Sequence, residues 1–365
     1  IEAGYNVGLY TSPYVTDFLE RVQYNGEPID REIFANSVTE VREAVEFLEN
    51  QGTQITEFEA LTAAAFMCFK ALDCDLVVLE VGLGGRLDAT NVIATPLVNV
   101  ITSLSIDHSA ILGNTIEEIA FEKCGTIKEN GTVIASYGQP ENAVKVIKKI
   151  CLERNNSLVV PDESQIKVLD SGIFGVEFTY KNSVYKTSMA GFHQIKNMTC
   201  VIEACYVLRS FFEISDDDIY NGIEKTVLPA RVEVISKLPL VILDGGHNED
   251  GAKAFYDSVS PYLYKYDKIC VVAGMMADKA VETSLKPLIE YCDSFIAVTP
   301  DNPRAMSCDE LAEIAKQFCD DVTAIPSPVE AVKTAVEALG ENDALLVVGS
   351  LYLAGEVRET LLKLF

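Results

Sequence analysis

Residues 76–91 read Leu-Val-Val-Leu-Glu-Val-Gly-Leu-Gly-Gly-Arg-Leu-Asp-Ala-Thr-Asn, and the reading of the whole chain starts from them. Leu76 to Val81 is a run of strand length, apolar at successive positions as in a parallel strand covered on both faces. It carries one carboxylate, Glu80, and leads into a glycine-rich loop that reaches Asp88. Ligands of open α/β sheets gather outside the carboxyl ends of the strands, which makes a carboxylate at such an end a candidate site residue. A lone carboxylate buried in an apolar strand is costly unless a cation, hydrogen bonds or a changed protonation state satisfies it. A divalent metal is one solution; hydrogen bonds from the loop's own amides are another. The glycines match neither a dinucleotide-binding nor a Walker pattern and decide nothing alone.

The same rhythm continues outward. Asn6–Thr11, Leu97–Leu104, Thr132–Ser136, Leu240–Leu243, Ile269–Ala273, Phe295–Val298 and Ala344–Val348 are strand-like. Between them, Asp30–Asn50, Thr56–Leu72, Pro140–Arg154, Gln194–Phe212 and Cys308–Phe318 repeat apolar residues at helical spacing. This alternation predicts α/β architecture with mostly parallel sheets and crossover helices. Val168 to Met189 alternates apolar and polar residues around Lys181-Asn182, which predicts an antiparallel hairpin appended to the first sheet. Leu228-Pro229 breaks the pattern and a new strand series follows. The expected domains are 1–228 and 229–365.

Bulk properties exclude several classes. The 365 residues are 48% hydrophobic and 23% charged, the balance of a folding globular chain. A formal charge of −26 repels nucleic acid and anionic lipid, so any phosphate site must be local. Ten cysteines are scattered with no Cys-x-x-Cys pair, which reads as thiols in a reducing compartment, the cytoplasm. The strongest apolar run, Leu345 to Leu353, is too short to span a membrane. Ile1 to Gly4 reads as the end of a helix with Gly4 as its cap, so the chain is expected to lack an upstream segment.

Other polar residues collect where strands end. Leu97–Leu104 leads to Ser105-Ile106-Asp107-His108, and Leu240–Leu243 to Asp244-Gly245-Gly246-His247-Asn248. Ile269–Ala273 leads to a loop containing Asp278-Lys279, and Ala344–Val348 to Gly349-Ser350. The three histidines, His108, His193 and His247, each stand beside a polar residue. Any one of them can be a structural histidine, and Ser350 can be part of a turn. By its composition Lys123 reads as an ordinary helix-surface lysine.

Taken together, Leu79–Asn91, Ile101–His108 and Glu122–Lys128 resemble the folylpolyglutamate synthase and dihydrofolate synthase family, a branch of the ATP-dependent Mur-type amide ligases. Gly8–Pro13, Ile55–Glu59, Phe192–Asn197, Ala230-Arg231, Asp244–Asn248, Asp278-Lys279 and Gly349–Tyr352 extend the likeness in family order across the chain. The resemblance implies a Mur-ligase-like P-loop-type ATPase domain, with its first strand and phosphate loop missing, and a smaller Rossmann-like C-terminal α/β domain. It also implies transfer of L-glutamate to a folate or dihydropteroate carboxylate through an acyl phosphate, by a cytoplasmic monomer that binds neither nucleic acid nor membrane.

The resemblance further implies a set of roles. Glu80 and His108 would hold Mg2+, with the Ser12 hydroxyl helping at a second ion and a carbamylated Lys123 adding an anionic oxygen near the metal. Asn197 would contact the adenine of ATP, Arg231 its phosphates and Asp244 its ribose. His247 and Ser350 would lie near glutamate or the transferring phosphate, Phe58 would stack on the pterin, and Asp88 would lie near the acceptor. Phe58 can equally be core and Asp88 a loop cap.

Tyr14, Ala230 and Glu249 depart from the family's usual His, Gly and Pro. The family's Gly-Thr-Asn-Gly-Lys-Gly-Ser/Thr phosphate loop is expected upstream of residue 1, so residues 1–365 alone are expected to be inactive and prone to aggregation. The alternatives are another Mur-type amino-acid ligase and a noncatalytic ligand-binding relative. Thr11-Ser12-Pro13 and Thr56–Glu59 favour the folate branch over the first, and Glu80, His108 and Lys123 together argue against the second.

Overall fold

The fold is that of a computed structural model describing residues 1–277 and 281–365; Asp278-Lys279 lies outside the described residues. The chain forms two compact units, Ile1–Glu163 with Lys196–Gly222, and Ser164–Ile195 with Ile223–Phe365.

In the first unit, strand β1 (Val7–Tyr10) pairs antiparallel with β2 (Val22–Tyr24), which pairs antiparallel with the short β3 (Glu27–Pro28). Asn25 and Gly26 form the β2–β3 turn with φ of 51° and 87°, the left-handed pair that a two-residue hairpin requires. Helices α1 (Arg31–Glu49) and α2 (Glu57–Ala71) follow, then β4 (Leu76–Leu79), which is parallel to β1. The Asp30 side chain accepts from the first-turn amides of α1, and Thr56 with Glu59 closes a capping box on α2, so both starts are fixed by local chemistry.

A second, all-parallel sheet contains β5 (Asn99–Ile101), β6 (Thr132–Ala135) and β7 (Ser157–Val159). Helices α3 (Ser109–Leu112) and α4 (Ile116–Lys123) lie between β5 and β6, and α5 (Glu141–Glu153) between β6 and β7. The strand expected over Leu97–Leu104 is shortened to β5. Beyond it the Gln139 side chain takes the Leu104 N–H and the Thr102 carbonyl, replacing a neighbouring strand.

The antiparallel hairpin forms around Lys181-Asn182, but it belongs to a separate three-stranded sheet in the second unit. That sheet consists of β8 (Lys167–Gly172), β9 (Gly175–Tyr180) and β10 (Ser183–Thr187), in the order β10-β9-β8. The expected attachment to the first sheet therefore fails: β9 satisfies both flanking strands and β8 supplies the third member. Helix α6 (Phe192–Leu208) and α7 (Asp216–Lys225) follow.

The main sheet of the second unit has the order β11-β12-β16-β13-β14-β15. Strand β11 (Glu233–Lys237) is antiparallel to β12 (Leu240–Leu243). Crossovers through α8 (Glu249–Leu263), α9 (Val281–Ile289), α10 (Cys308–Ala315) and α11 (Pro328–Ala338) connect β12 to β13 (Ile269–Ala273), β14 (Ser294–Ala297), β15 (Val322–Ala324) and β16 (Ala344–Val348). Strand β16 returns between β12 and β13, and α12 (Leu351–Leu364) closes the chain. Strands β12, β13 and β16 are buried at every position, as their unbroken apolar runs predict.

Their counterparts in the first unit differ. Val78 in β4 is 50% exposed and Val100 in β5 41% exposed, and each of these strands ends its sheet. Strand β1 is paired on both sides, so the open edges of its sheet are β3 and β4. Among the described residues no helix is long and apolar enough to cross a membrane.

Leu346, fully buried at the centre of β16, packs in the main core. Leu346→Ala should cost about 2–5 kcal/mol in urea denaturation. Val78→Ala, on an exposed face, should stay within about 0.5 kcal/mol of the parent.

Candidate active site

The parallel pairing of β1 with β4 brings two strand ends together. Glu80 is the first residue beyond β4, and its N–H donates to the Tyr10 carbonyl over 2.8 Å. Thr11 and Ser12 follow β1. The Thr11 hydroxyl and the Ser12 N–H, the latter at 2.8 Å, both donate to the same carboxylate oxygen, Glu80 Oε2. The sequence reading placed Glu80 inside a buried strand; in the structure it is exposed just past the strand, and its hydrogen bonds come from the β1 loop instead of its own glycine-rich loop.

That glycine-rich loop is held from two sides. Asp88 accepts from the Leu83 N–H at 2.9 Å, the Thr90 N–H at 2.9 Å and the Thr90 hydroxyl at 2.6 Å, so it acts as a loop cap. Arg86 forms a fork with the Glu122 carboxylate at 3.0–3.1 Å, and its N–H donates to the Glu122 carbonyl at 2.9 Å. A Cβ on Gly85 would lie 2.8 Å from the Lys123 carbonyl, so only glycine allows this approach. Through these contacts the loop after Glu80 docks on the last turn of α4, which carries the half-buried Lys123.

Phe58, on the first turn of α2, packs its ring edge where a Cβ on Gly82 would fall, 2.5 Å away, and lies 5.9 Å from the Tyr10 ring. It is partly buried against the α1–α2 core, so its ring serves packing here. His108 follows β5 in the left-handed region at φ 51°, with its N–H on Asp107 Oδ1 at 2.8 Å and its side chain 49% exposed. Neither His108 nor Lys123 hydrogen-bonds Glu80, and among the described residues no three of His, Cys, Asp and Glu form a metal-sized cluster. Asn197 is partly buried on α6.

In the second unit, the order β12-β16-β13 places Asp244, Gly349-Ser350 and Gly274 at three adjacent strand ends. Asp244 is buried, with Oδ2 accepting from Val232 N–H at 2.9 Å and Oδ1 from Gly246 N–H at 2.8 Å. Burial pushes its carboxyl above the usual aspartate range, while those two N–H groups and the nearby Arg231 oppose the shift. Arg231 itself is exposed. Ser350, expected near glutamate or the transferring phosphate, is the N-cap of α12, its hydroxyl accepting from Leu353 N–H at 3.1 Å. His247 Nδ1 lies 3.4 Å from the Gly245 carbonyl. A small pocket between these strand ends is lined by Asp244, Gly246, Met275, Ser284 and Gly349.

Residues 230–351 match a protein-family model described as Mur ligase, glutamate ligase domain. The dihydrofolate synthase/folylpolyglutamate synthase of Bacillus subtilis (strain 168) is 35% identical over 376 residues, covering 99% of this chain and 85% of the relative. The chain belongs to the dihydrofolate synthase/folylpolyglutamate synthase family. It is accordingly an ATP-dependent ligase with the Mur-ligase fold. A crystal structure of Mycobacterium tuberculosis folylpolyglutamate synthase, complexed with ADP and AMPPCP, superposes with a TM-score of 0.88 at 26% identity over 99% of this chain and 86% of that one. The bifunctional folylpolyglutamate synthase/dihydrofolate synthase of Yersinia pestis, complexed with AMPPNP and Mn ion, gives 0.82 at 27% identity over 99% and 83%.

Sequence reasoning named Ser12 and Glu80 and the structure joins them, but it gave no role to Thr11, Arg86 or Glu122. Thr11 was visible in the Thr-Ser-Pro motif; only the strand register shows that its hydroxyl meets Glu80. The Arg86–Glu122 fork spans 36 residues, and no local pattern announces it. The sequence pattern assigns His193 no role. In this family member, burial and the neighbouring Arg231 push its imidazole below the usual histidine range. Its neutral form is favoured in the folded state, so stability is retained above about pH 6.5 and lost as pH falls through the lowered pKa. Urea denaturation at pH 7.5 and 5.5 should show a larger loss for the parent than for His193→Gln; equal losses would refute the assignment.

Proposed function

We propose that the protein joins L-glutamate to the carboxylate of a folate or dihydropteroate acceptor through an acyl phosphate made from ATP. The observation that carries this reading is Glu80, tied to the β1 loop through Oε2 alone, with Oε1 left for a ligand beside Ser12.

The Glu80 carboxylate suits Mg2+, a hard cation that is usually held by one or two carboxylates together with substrate phosphates and water instead of an all-protein cage, whereas the His108 imidazole is a less expected ligand for it. Glu80 and His108 would hold it, with the Ser12 hydroxyl serving a second ion and Lys123 contributing once carbamylated. When bound, the metal neutralises charge on the phosphate oxygens during phosphoryl transfer. Carbamylation joins the Lys123 amine to carbon dioxide with loss of a proton, replacing a cation that repels the metal by an anionic oxygen donor.

The chain's own residues position the reactants. Asn197 contacts adenine, Asp244 uses its remaining lone pairs for the ribose hydroxyls, and Arg231 engages the phosphates. Phe58 and Asp88 border the pterin-bearing acceptor, while His247 and Ser350 hold the incoming glutamate or the transferring phosphate. The acceptor carboxylate attacks the γ-phosphorus and releases ADP. The glutamate amine then attacks the acyl carbon, loses a proton and expels phosphate. In this reading the ATPase domain lies within residues 1–228, apart from 164–195, which pack with the second unit, and 229–365 form the glutamate ligase domain, which the family match over 230–351 supports. The protein works as a monomer in the cytoplasm.

Phosphate release by the full-length protein is measured with ATP, glutamate and either dihydropteroate or tetrahydrofolate. Glu80→Gln and His108→Ala should each lower turnover about tenfold to a hundredfold with the thermal transition unchanged. Near-parental rates for both would sink the metal assignment, and turnover only with cell-wall precursors would sink the folate reading. Lys123→Ala should be inactive and partly restored by short carboxylic acids, and removal of bicarbonate should slow the parent. No rescue by carboxylic acids, together with an unmodified Lys123 amine in a crystal of the magnesium-bound enzyme, would contradict the carbamate.

A further inference from the structure

Arg231 stands between two residues in an unusual backbone conformation. Ala230 and Val232 have φ of 53° and 49°, in the left-handed region that non-glycine residues seldom adopt and that a β-branched residue such as valine adopts least. Such a conformation persists only where its surroundings hold it, and here every hold is identifiable. The Ala230 N–H donates to Glu233 Oε2 at 2.8 Å, and the Ala230 carbonyl accepts from Gly245 N–H at 2.8 Å. The Val232 N–H donates to Asp244 Oδ2 at 2.9 Å. The arch is therefore pinned on both sides of Arg231, while the Arg231 side chain projects into solvent.

The pin at Glu233 is itself held from α12. Arg358 Nε donates to both Glu233 oxygens at 3.0 and 3.2 Å, and Nη2 donates to Oε1 at 2.8 Å. The two side chains are only 22% and 11% exposed, so this is a desolvated fork and not a surface ion pair. Helix α12 also fills the space beside Gly245, where any Cβ would collide with Leu351. A helix whose N-cap is Ser350 thus reaches the arch at two points, through Leu351 and through Arg358.

We propose that Arg358 is a positioning residue for the ligase reaction: through Glu233 it holds the 230–232 arch in the conformation that presents Arg231 to the polyphosphate of the nucleotide. The inference rests on the reading of Arg231 as a phosphate contact and adds the device that aims it. Lysine cannot replace Arg358, because a single ammonium lacks the fork that engages both carboxylate oxygens. Glycine at 230 adopts positive φ without strain, so it lessens the arch's dependence on the clamp.

The test measures affinity for ATP and for adenosine in the full-length protein by calorimetry, together with KM for ATP and for glutamate. Arg231→Gln should weaken ATP binding at least tenfold and leave adenosine unchanged. Arg358→Gln and Arg358→Lys should weaken ATP binding roughly fivefold to tenfold and raise KM for ATP, with KM for glutamate unchanged. The double variant Arg231→Gln/Arg358→Gln should be no weaker than Arg231→Gln alone, because the clamp acts only through that side chain. Adding Ala230→Gly to Arg358→Gln should recover at least half of the lost affinity on a logarithmic scale. If Arg358→Gln does not fold, Glu233→Gln takes its place with the same expected pattern.

An Arg358→Gln or Glu233→Gln protein binding ATP within twofold of the parent, while Arg231→Gln is weakened, overturns the positioning role. So does a double variant whose loss is the product of the two single losses. An unchanged ATP affinity in Arg231→Gln overturns the phosphate reading itself, and the positioning role with it.

Discussion

A single carboxylate oxygen joins the two strands on which the first unit's site depends. Glu80 Oε2 takes a hydroxyl from Thr11 and an N–H from Ser12, so the loops leaving β1 and β4 cannot move independently. The arrangement requires the parallel register that sets Tyr10 against Leu79, because a one-residue slip would turn Glu80 to the other face. A charge-assisted pair of hydrogen bonds on one oxygen satisfies part of the carboxylate and leaves the rest available. The glycine-rich loop then inherits its position from Glu80 at one end and from the Arg86–Glu122 fork at the other.

The second unit solves the same problem with different material. There the adjacent strand ends are β12, β16 and β13, and a buried carboxylate, Asp244, ties the β12 loop to the 230–232 arch. Burial makes this tie costly to charge, and backbone N–H groups on both oxygens offset that cost. Among the described residues Glu80 is solvated and partly unpartnered, which suits the cation contact proposed for it. Asp244 is enclosed and shaped to orient its neighbours.

Much of this was legible in the sequence because local rules coincide with the final structure. Asp30 and Thr56 announce the starts of α1 and α2 through their own side chains, and the unbroken apolar runs of β12, β13 and β16 announce full burial. The Asn25-Gly26 pair is an equally local hairpin signal. What the sequence could not show depends on partners distant along the chain. The place of β4 at the edge of its sheet follows from its pairing with β1, and the end of β5 coincides with the contacts of the Gln139 side chain. Of the site, the residue types and their family order were readable. The Thr11–Glu80 and Arg358–Glu233 contacts, 69 and 125 residues apart, exist only once the sheets are assembled.

Glu80 is proposed to offer its second oxygen to a divalent cation. The most direct measurement is Mn2+ binding followed by electron paramagnetic resonance in the presence of ADP, comparing the parent with Glu80→Gln in proteins of equal thermal stability. The amide keeps an oxygen for the Thr11 and Ser12 donors but loses the charge, so the account predicts Mn2+ affinity at least about tenfold weaker in the variant. Equal affinity in the two proteins would contradict it, and the strand-end carboxylate would then be a structural tie alone.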